Sequence, residues 1–358
     1  MDHPLVLGIE TSCDDTACAV LDGAGRVLSS VVSSQLAAHR PYGGVVPEIA
    51  SREHLANWCA VSGEALERAA VSLREVDVVA ATRGPGLVGA LLVGLSIGKA
   101  IAFARSLPFH AVHHLEGHLY SPFLRPPGDP EAPGPPPSRF VGLVLSGGHS
   151  SLFAVEEGAV STLGETRDDA LGEVFDKVGK RLGLPYPQGP KVDELAERGV
   201  PDVQGPHRFP LARLGDTLDF SYSGLKSQTL LEIERLERRM GPIDLGNLGA
   251  NDDPPQEVLD LLAAFRASAI GQVLDRLDRL QGRLPFERLA VSGGAAANRL
   301  LRRELPGWAA ARGVELRLVP LVYSGDNAAM IAHAALLRHR RGLADDPFAA
   351  EAESRIPL

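Results

Sequence analysis

Three features of the chain predict an α/β protein made of two related lobes. Residues 141–145 (VGLVL) read as a buried strand that ends in the small polar loop Ser146-Gly147-Gly148-His149-Ser150, and apolar residues resume at Leu152. A matching unit opens the chain, where the apolar runs 5–9 and 17–21 flank Glu10-Thr11-Ser12-Cys13-Asp14-Asp15-Thr16. Each unit passes through a Gly-containing turn into a third strand, and such recurrence marks an internal duplication. A third loop of this type, Ser292-Gly293-Gly294 to Asn298, leads from a strand into a helix over 299–305.

The glycines at 147 and 148 can take positive φ and turn successive backbone N–H groups toward one point, which suits a phosphate. A plain Gly-Gly hairpin is the other reading. Further along the first half, Asp22-Gly23-Ala24-Gly25 turns the chain into a strand over 26–32. Pro47 opens an amphipathic helix that runs to about Ala70. A strand over 76–81 leads through Arg83-Gly84-Pro85-Gly86-Leu87-Val88-Gly89 to an apolar helix over 90–105. This is formally GxGxxG, but a dinucleotide site also needs an acidic residue about twenty positions on. No Asp or Glu occurs between Asp77 and Glu116, so the glycines serve a tight turn and close helix packing. Gly94 to Ala100 is one residue short of a Walker A loop and lacks its Ser or Thr.

His114 and His118 in HHLEGHL are four apart, share one face of a helix and can grip one metal ion. Zinc proteases carry Glu directly after the first His, whereas Glu116 lies roughly 200° around the helix, facing away. The third ligand must come from elsewhere. Near the end, a strand over 316–322 is followed by Tyr323-Ser324-Gly325-Asp326-Asn327 and a helix over 328–338. Asp326 reads as the N-cap of that helix, and it is also the carboxylate best placed to complete the two-histidine site.

The proline-rich segment 125–138 is too stiff and polar for core and forms the boundary between lobes. The expected division is therefore 1–125, a linker over 126–138, 139–325, and a C-terminal helix from 326 that packs back across the cleft onto the first lobe. In the second lobe Asp176 sits beside the apolar face made by Phe175, Val178 and Leu182, where it is either an exposed charge or a cleft carboxylate. Asp193, beyond Tyr186-Pro187-Gln188-Gly189-Pro190, reads equally as a first-turn helix charge or a ligand contact. Ser221 to Lys226 reads as a polar turn, 230–240 as a charged helix and 254–280 as a long one.

The 358 residues suffice for two cores, and 44% hydrophobic with 23% charged residues describes a soluble globular chain. No apolar run reaches membrane-span length, and no basic leader precedes the first strand. Cys13, Cys18 and Cys59 have no metal-type spacing, which suits a reducing cytoplasm. A net charge of −9 argues against a chain that grips nucleic acid by overall charge.

Two phosphate-type hairpins plus a Gly-Gly turn opening a helix match the actin/Hsp70/sugar-kinase (ASKHA) plan. The strings GIETSCDDT, PEIASREH, RGPGLVGALLVG, HHLEGHL, LSGGHSSL, GEVFDKVGKRLGL, FSYSGLKS, SGGAAANR and GDNAAMIA occur in order along nearly the whole chain. With them the chain resembles the TsaD family, the tRNA threonylcarbamoyladenosine transferases once labelled O-sialoglycoprotein endopeptidases. The resemblance implies transfer of threonylcarbamoyl from threonylcarbamoyl-adenylate to the exocyclic nitrogen of the adenine beside the anticodon, in tRNAs reading codons that begin with A. It implies one divalent metal, Fe2+ ahead of Zn2+, held by His114, His118 and Asp326. It places a nucleotide-type ligand, the adenylate or ATP or ADP, along Val144, Leu145, Ser146, Gly147 and Gly148. Asp176, Gly189, Asp193 and Asn298 then surround ribose and adenine. Implied partners are tRNA, TsaB and TsaE homologues and a TsaC-type supplier of the adenylate, with a homodimer or a TsaB heterodimer as the assembly and no membrane.

Two departures stand out: the family has Asp-Glu where this chain has Asp14-Asp15, and a paired glycine where it has Gln188-Gly189. Asp14 is the candidate for handling the acceptor amine's proton or orienting the acceptor. The alternatives are a small-molecule kinase of the same fold, for which HLEGH has no task, a metalloprotease, or a catalytically silent scaffold.

Overall fold

The computed structural model describes residues 4–126, 129, 134–201, 209–212, 214–247 and 253–358. Residues 127, 128 and 130–133 of the proline-rich linker lie outside the described residues. Two compact units emerge, Met1–Pro137 with Val319–Leu358, and Ser138–Leu318.

In the first unit Val6–Glu10 (β1), Asp15–Leu21 (β2) and Val27–Ser34 (β3) form an antiparallel meander. A short helix, Leu36–His39 (α1), and the long helix Pro47–Arg68 (α2) carry the chain to Val78–Gly84 (β4), which lies parallel to β1. Val88–Arg105 (α3) crosses over to Phe109–His113 (β5), parallel to β4, and His114–Tyr120 (α4) follows at once. Strand order is β3-β2-β1-β4-β5. Parallel neighbours need a helical crossover, which α2 and α3 supply. Leu7, Ile9, Cys18, Val20, Val79 and Ala81 form the centre of this unit's core.

The second unit repeats the plan. Arg139–Leu145 (β6), Ser150–Glu156 (β7) and Ala159–Gly164 (β8) form the meander, and Leu171–Arg181 (α5), Gln188–Ala196 (α6), Ser223–Met240 (α7) and Gln256–Arg283 (α8) follow. Arg288–Ser292 (β9), Arg299–Ala310 (α9) and Glu315–Leu318 (β10) complete it, in the order β10-β9-β6-β7-β8. From the opposite edge this is the first unit's order with the same parallel and antiparallel senses. The Ser292-Gly293-Gly294 loop therefore corresponds to the loop after β4, and the loops at 11–14 and 146–149 correspond to each other.

Ala328–Arg340 (α10) belongs to the first unit, and Ala328 through Leu336 are all buried. Small residues make that depth accessible. A Cβ on Gly8 of β1 would meet Ala328 O at 2.4 Å, and one on Gly117 of α4 would meet Ile331 Cδ1 at 2.9 Å. Only glycine lets α10 lie this close to both elements.

Several expectations shift. Helix α7 begins at Ser223, so Ser223 to Lys226 is helix rather than turn. Its signal is non-local: the Asp168 carboxylate accepts from Tyr222 N at 2.8 Å and Ser223 N at 3.2 Å, satisfying free helix-end donors. Strand β10 ends at Leu318, and Leu321–Tyr323 is a 3-10 turn. By length and composition α3 is apolar enough to span a membrane, with mean hydropathy 1.6 over 18 residues, which corrects the expectation that no run qualifies. Its Ala90, Leu91, Leu95 and Ala102 are buried, and it packs on β4 and α2.

Candidate functional site

His114 is the first residue of α4 and His118 lies one turn on, so both rings project from one face. The rings meet edge to face with centroids 4.8 Å apart. Asp326 Oδ1 lies 3.5 Å from His114 Nε2 and 3.2 Å from His118 Nε2. One donor atom from each of the three residues lies within 4.8 Å of the others. The His118 side chain is fully buried and that of Asp326 is 26% exposed, so the cluster opens on the carboxylate side. Two imidazoles and a carboxylate are a donor set that suits a divalent ion such as Fe2+ or Zn2+.

Asp326 is not the cap of α10, contrary to one of its two sequence readings. Asn327 is, its side chain accepting from Met330 N at 2.9 Å. Asn327 Nδ2 also donates to Tyr323 O and Gly325 O, at 3.2 and 2.9 Å, which steadies the loop that carries Asp326. Glu116 takes no part, since Oε2 lies 3.3 Å from Arg338 Nε.

Burial disfavours charge on His114, but Asp326 and Glu10 overcome it and raise its pKa to about 10. Burial keeps His118 below its usual value. Burial also opposes charge on Asp326, yet the His114 charge and hydrogen bonds from both histidines hold its carboxyl well below the usual range. Without a metal ion, His114 is therefore the cation of the cluster, set between the carboxylates of Glu10 and Asp326, while His118 is neutral.

Sequence reasoning missed two acidic residues beside this cluster. Glu10, the last residue of β1, is completely buried with Oε2 3.0 Å from His114 Nδ1. Asp15, read only as a departure from the family pattern, has a buried Oδ1 without a hydrogen-bond partner. Burial and then the Asp326 charge push its carboxyl up to about 7. Asp14, one residue earlier, is half-buried in the β1–β2 turn. That turn is pinned from behind, where His54 Nε2 lies 3.1 Å from Cys13 O and Gln35 N donates to Asp14 O at 2.9 Å. Local sequence carried no signal for Glu10, because a strand-end Glu normally faces solvent.

In the second unit Val144 and Leu145 are buried strand residues, Leu145 within the hydrophobic core, so neither side chain is exposed to a ligand. Ser146 N donates to His149 O at 2.8 Å, and His149 N donates to Ser146 Oγ at 3.2 Å, closing the turn. Gly147 and Gly148 are exposed but neither has positive φ, which corrects the expected reason for them. A Cβ at either would meet nothing within 4 Å. Their lack of side chains bares the backbone instead.

Asp176 and Gly189 come together, with Asp176 Oδ1 accepting from Gly189 N at 2.7 Å at the start of α6. Asp193 lies beyond the first turn of α6, which starts at Gln188, so the first-turn reading fails. Asp193 is 7% exposed and meets Asn298. Its Oδ1 accepts from Asn298 Nδ2 at 2.8 Å and pairs with Arg266 at 3.1 Å, while Oδ2 accepts from Arg299 N at 3.0 Å. Asn298 in turn caps α9 through Leu301 N.

A family model described as TsaD, tRNA N6-adenosine threonylcarbamoyltransferase, matches residues 26–333. A protein of that name from Pelobacter propionicus is 48% identical over 92% of this chain and 90% of its own length. One from Syntrophobacter fumaroxidans is 45% identical over 98% and 99%. Among solved structures, component A of Acidaminococcus fermentans (R)-2-hydroxyglutaryl-CoA dehydratase superposes with a TM-score of 0.52 at 13% identity, over 95% of this chain and 99% of that one. T. kodakarensis HypF gives 0.59 at 13% identity, over 95% and 48%. These likenesses identify the fold as ASKHA-type. Sequence similarity at this level makes the protein a tRNA-modifying transferase, and the chain belongs to the TsaD family of tRNA N6-adenosine threonylcarbamoyltransferases.

Proposed function

We propose that threonylcarbamoyl-adenylate is the donor, that the acceptor is the adenosine beside the anticodon in tRNAs reading codons that begin with A, and that His114, His118 and Asp326 hold one Fe2+. The approach of both imidazole Nε2 atoms to Asp326 Oδ1, at 3.5 and 3.2 Å, carries this reading. Two histidines and one carboxylate with free positions are the donor set of non-haem Fe2+ centres, and Zn2+ is the second ion such donors take. An ion held by His114, His118 and Asp326 would supply positive charge of the kind that stabilises developing oxyanions in group transfer.

The adenylate uses the bared backbone of Ser146, Gly147 and Gly148, with the main chain of Val144 and Leu145 behind it. N–H groups of such a turn stabilise developing negative charge without reorganising. Asp176 with Gly189, and Asp193 with Asn298, act as two hydrogen-bonded pairs around ribose and adenine. Asp14 accepts the amine proton or orients the acceptor. Glu116, turned to Arg338, leaves a protease without its base.

The chain works in the cytoplasm with tRNA shared among TsaB- and TsaE-type partners, and a TsaC-type enzyme makes the adenylate. A net charge of −9 supports this division of tRNA binding. Incubating the metal-loaded chain with these partners, the adenylate and unmodified tRNA, then digesting to nucleosides, is expected to yield threonylcarbamoyladenosine. ATP consumption with a small-molecule acceptor and no modified nucleoside would overturn the assignment.

A further inference from the structure

We propose that Glu10 is the positioning residue of the three-residue cluster, fixing the His114 ring so that Nε2 is presented beside His118 and Asp326; the inference rests on the metal reading above. Glu10 ends the central strand β1 with no exposed surface. Its Oε1 accepts from Ser12 N at 2.5 Å. Its Oε2 accepts from Thr82 Oγ1, on the neighbouring strand β4, at 2.7 Å and lies 3.0 Å from His114 Nδ1. Ser12 Oγ lies 3.2 Å from the same nitrogen.

An ionised carboxylate can only accept, so with Glu10 charged Nδ1 must carry a hydrogen. The lone pair available to an ion then sits on Nε2, the nitrogen that faces Asp326. The carboxylate cannot turn away, because the strand-borne Thr82 and the backbone of Ser12 hold both its oxygens. His118 has no such support, since its Nδ1 is buried without a hydrogen-bond partner. Among the described residues the orientation of the cluster therefore depends on His114, and His114 on Glu10. A carboxylate sunk in a core strand end is costly unless it is paired, and packing alone gives no reason for one here. Outer-shell carboxylates on metal-bound histidines fix ring orientation and raise ligand basicity.

The test uses the full chain and Co2+ as probe, with affinity read from the visible spectrum in competition with a chelator. Glu10→Gln is expected to weaken Co2+ binding about 10- to 100-fold. In the Zn2+-loaded wild type the His114 Nδ1–H proton should be protected from exchange, and in the variant that protection should be lost. Glu10→Asp keeps the buried charge but withdraws the carboxylate by one methylene, and the same loss is expected; it carries the test alone if the Gln variant does not fold. Wild-type affinity and an intact Nδ1–H signal in either folded variant overturn the proposal, even if transfer slows. Absence of Co2+ binding by the wild type, or unchanged binding in His118→Ala, overturns the metal reading first and this inference with it.

Discussion

His118 Nε2 and Asp326 Oδ1 stand 3.2 Å apart although 208 positions separate the two residues in the chain. The contact exists because α10 packs against β1 and α4 at Gly8 and Gly117, and because Asn327 pins the loop just ahead of it. His114→Ala and His118→Ala each leave two donors. We expect metal content to fall from one per chain to near zero, and transfer to fall by at least about 100-fold, the upper end for a mere outer-shell change. Cooperative unfolding should persist. Elemental analysis after gel filtration reads the first quantity, and unchanged stoichiometry in either variant rules out the ligand assignment.

Metal uptake should release a proton. Burial opposes charge on His114, but Asp326 and Glu10 prevail, and the ring stays protonated up to about 10. An ion needs the Nε2 lone pair, so affinity should rise about tenfold per pH unit between about pH 7 and 9. The sign for stability is the reverse. A raised histidine pKa stabilises the metal-free fold fully below 6.5, the unfolded value, and that contribution is lost as pH rises through about 10. Calorimetry in buffers of different ionisation heat counts the proton, and a pH-independent affinity contradicts the scheme.

Asp193→Ala should act on stability before it acts on catalysis. It leaves Arg266, 4% exposed, without one carboxylate partner and unseats the Asn298 cap of α9. Breaking a buried ion pair from one side costs about 3 kcal/mol or more. Thermal unfolding should show the loss, and adenylate binding should weaken with it. An unshifted melting curve would mean that Arg266 is satisfied by Glu197 and the backbone oxygens of residues 193 and 196.

Acid should destabilise the first unit through two buried histidines. Burial lowers His110 and His333 to about 4, helped at His110 by His339 and Arg338 against Asp345, and at His333 by Arg340 against a hydrogen bond to the Tyr120 backbone. The unfolded chain protonates them near 6.5, so stability falls as pH drops from there toward 4, by about 2 kcal/mol per histidine at pH 5. Both His110 nitrogens are buried without hydrogen-bond partners, so His110→Leu should not harm the fold at pH 7. The gap between urea midpoints at pH 7 and 5 should narrow in that variant, with the His333 share remaining, and an unchanged gap would exonerate His110.

Asp14→Asn should slow single-turnover transfer by about 100-fold or more if the carboxylate handles the amine proton. Asp15→Asn is the comparison, because burial and Asp326 push that carboxyl up to about 7. If only the second variant changes the acid limb of the pH–rate profile, the proton role passes to Asp15.

Much of the fold was legible. Strand β1, strand β6 and their polar turns announced the duplication, since alternating apolar runs and Gly-containing turns are local signals. The sheets then repeat one another strand for strand. The start of α7 was not legible, because its end donors are satisfied by Asp168 from a distant segment. Gly147 and Gly148 were expected for their positive φ, but neither takes it, and open space around them is what the structure shows instead.

For the site, residue type and spacing alone determined that His114 and His118 share a helix face and that Glu116 does not. Which carboxylate faces them, whether Asp326 or Asn327 caps α10, and which ring nitrogen of His114 faces Asp326 were settled only by tertiary packing. Glu10 shows why. A single Glu at the end of a strand looks the same in sequence whether it meets water or a buried imidazole, and only the fold decides which charge must answer which proton.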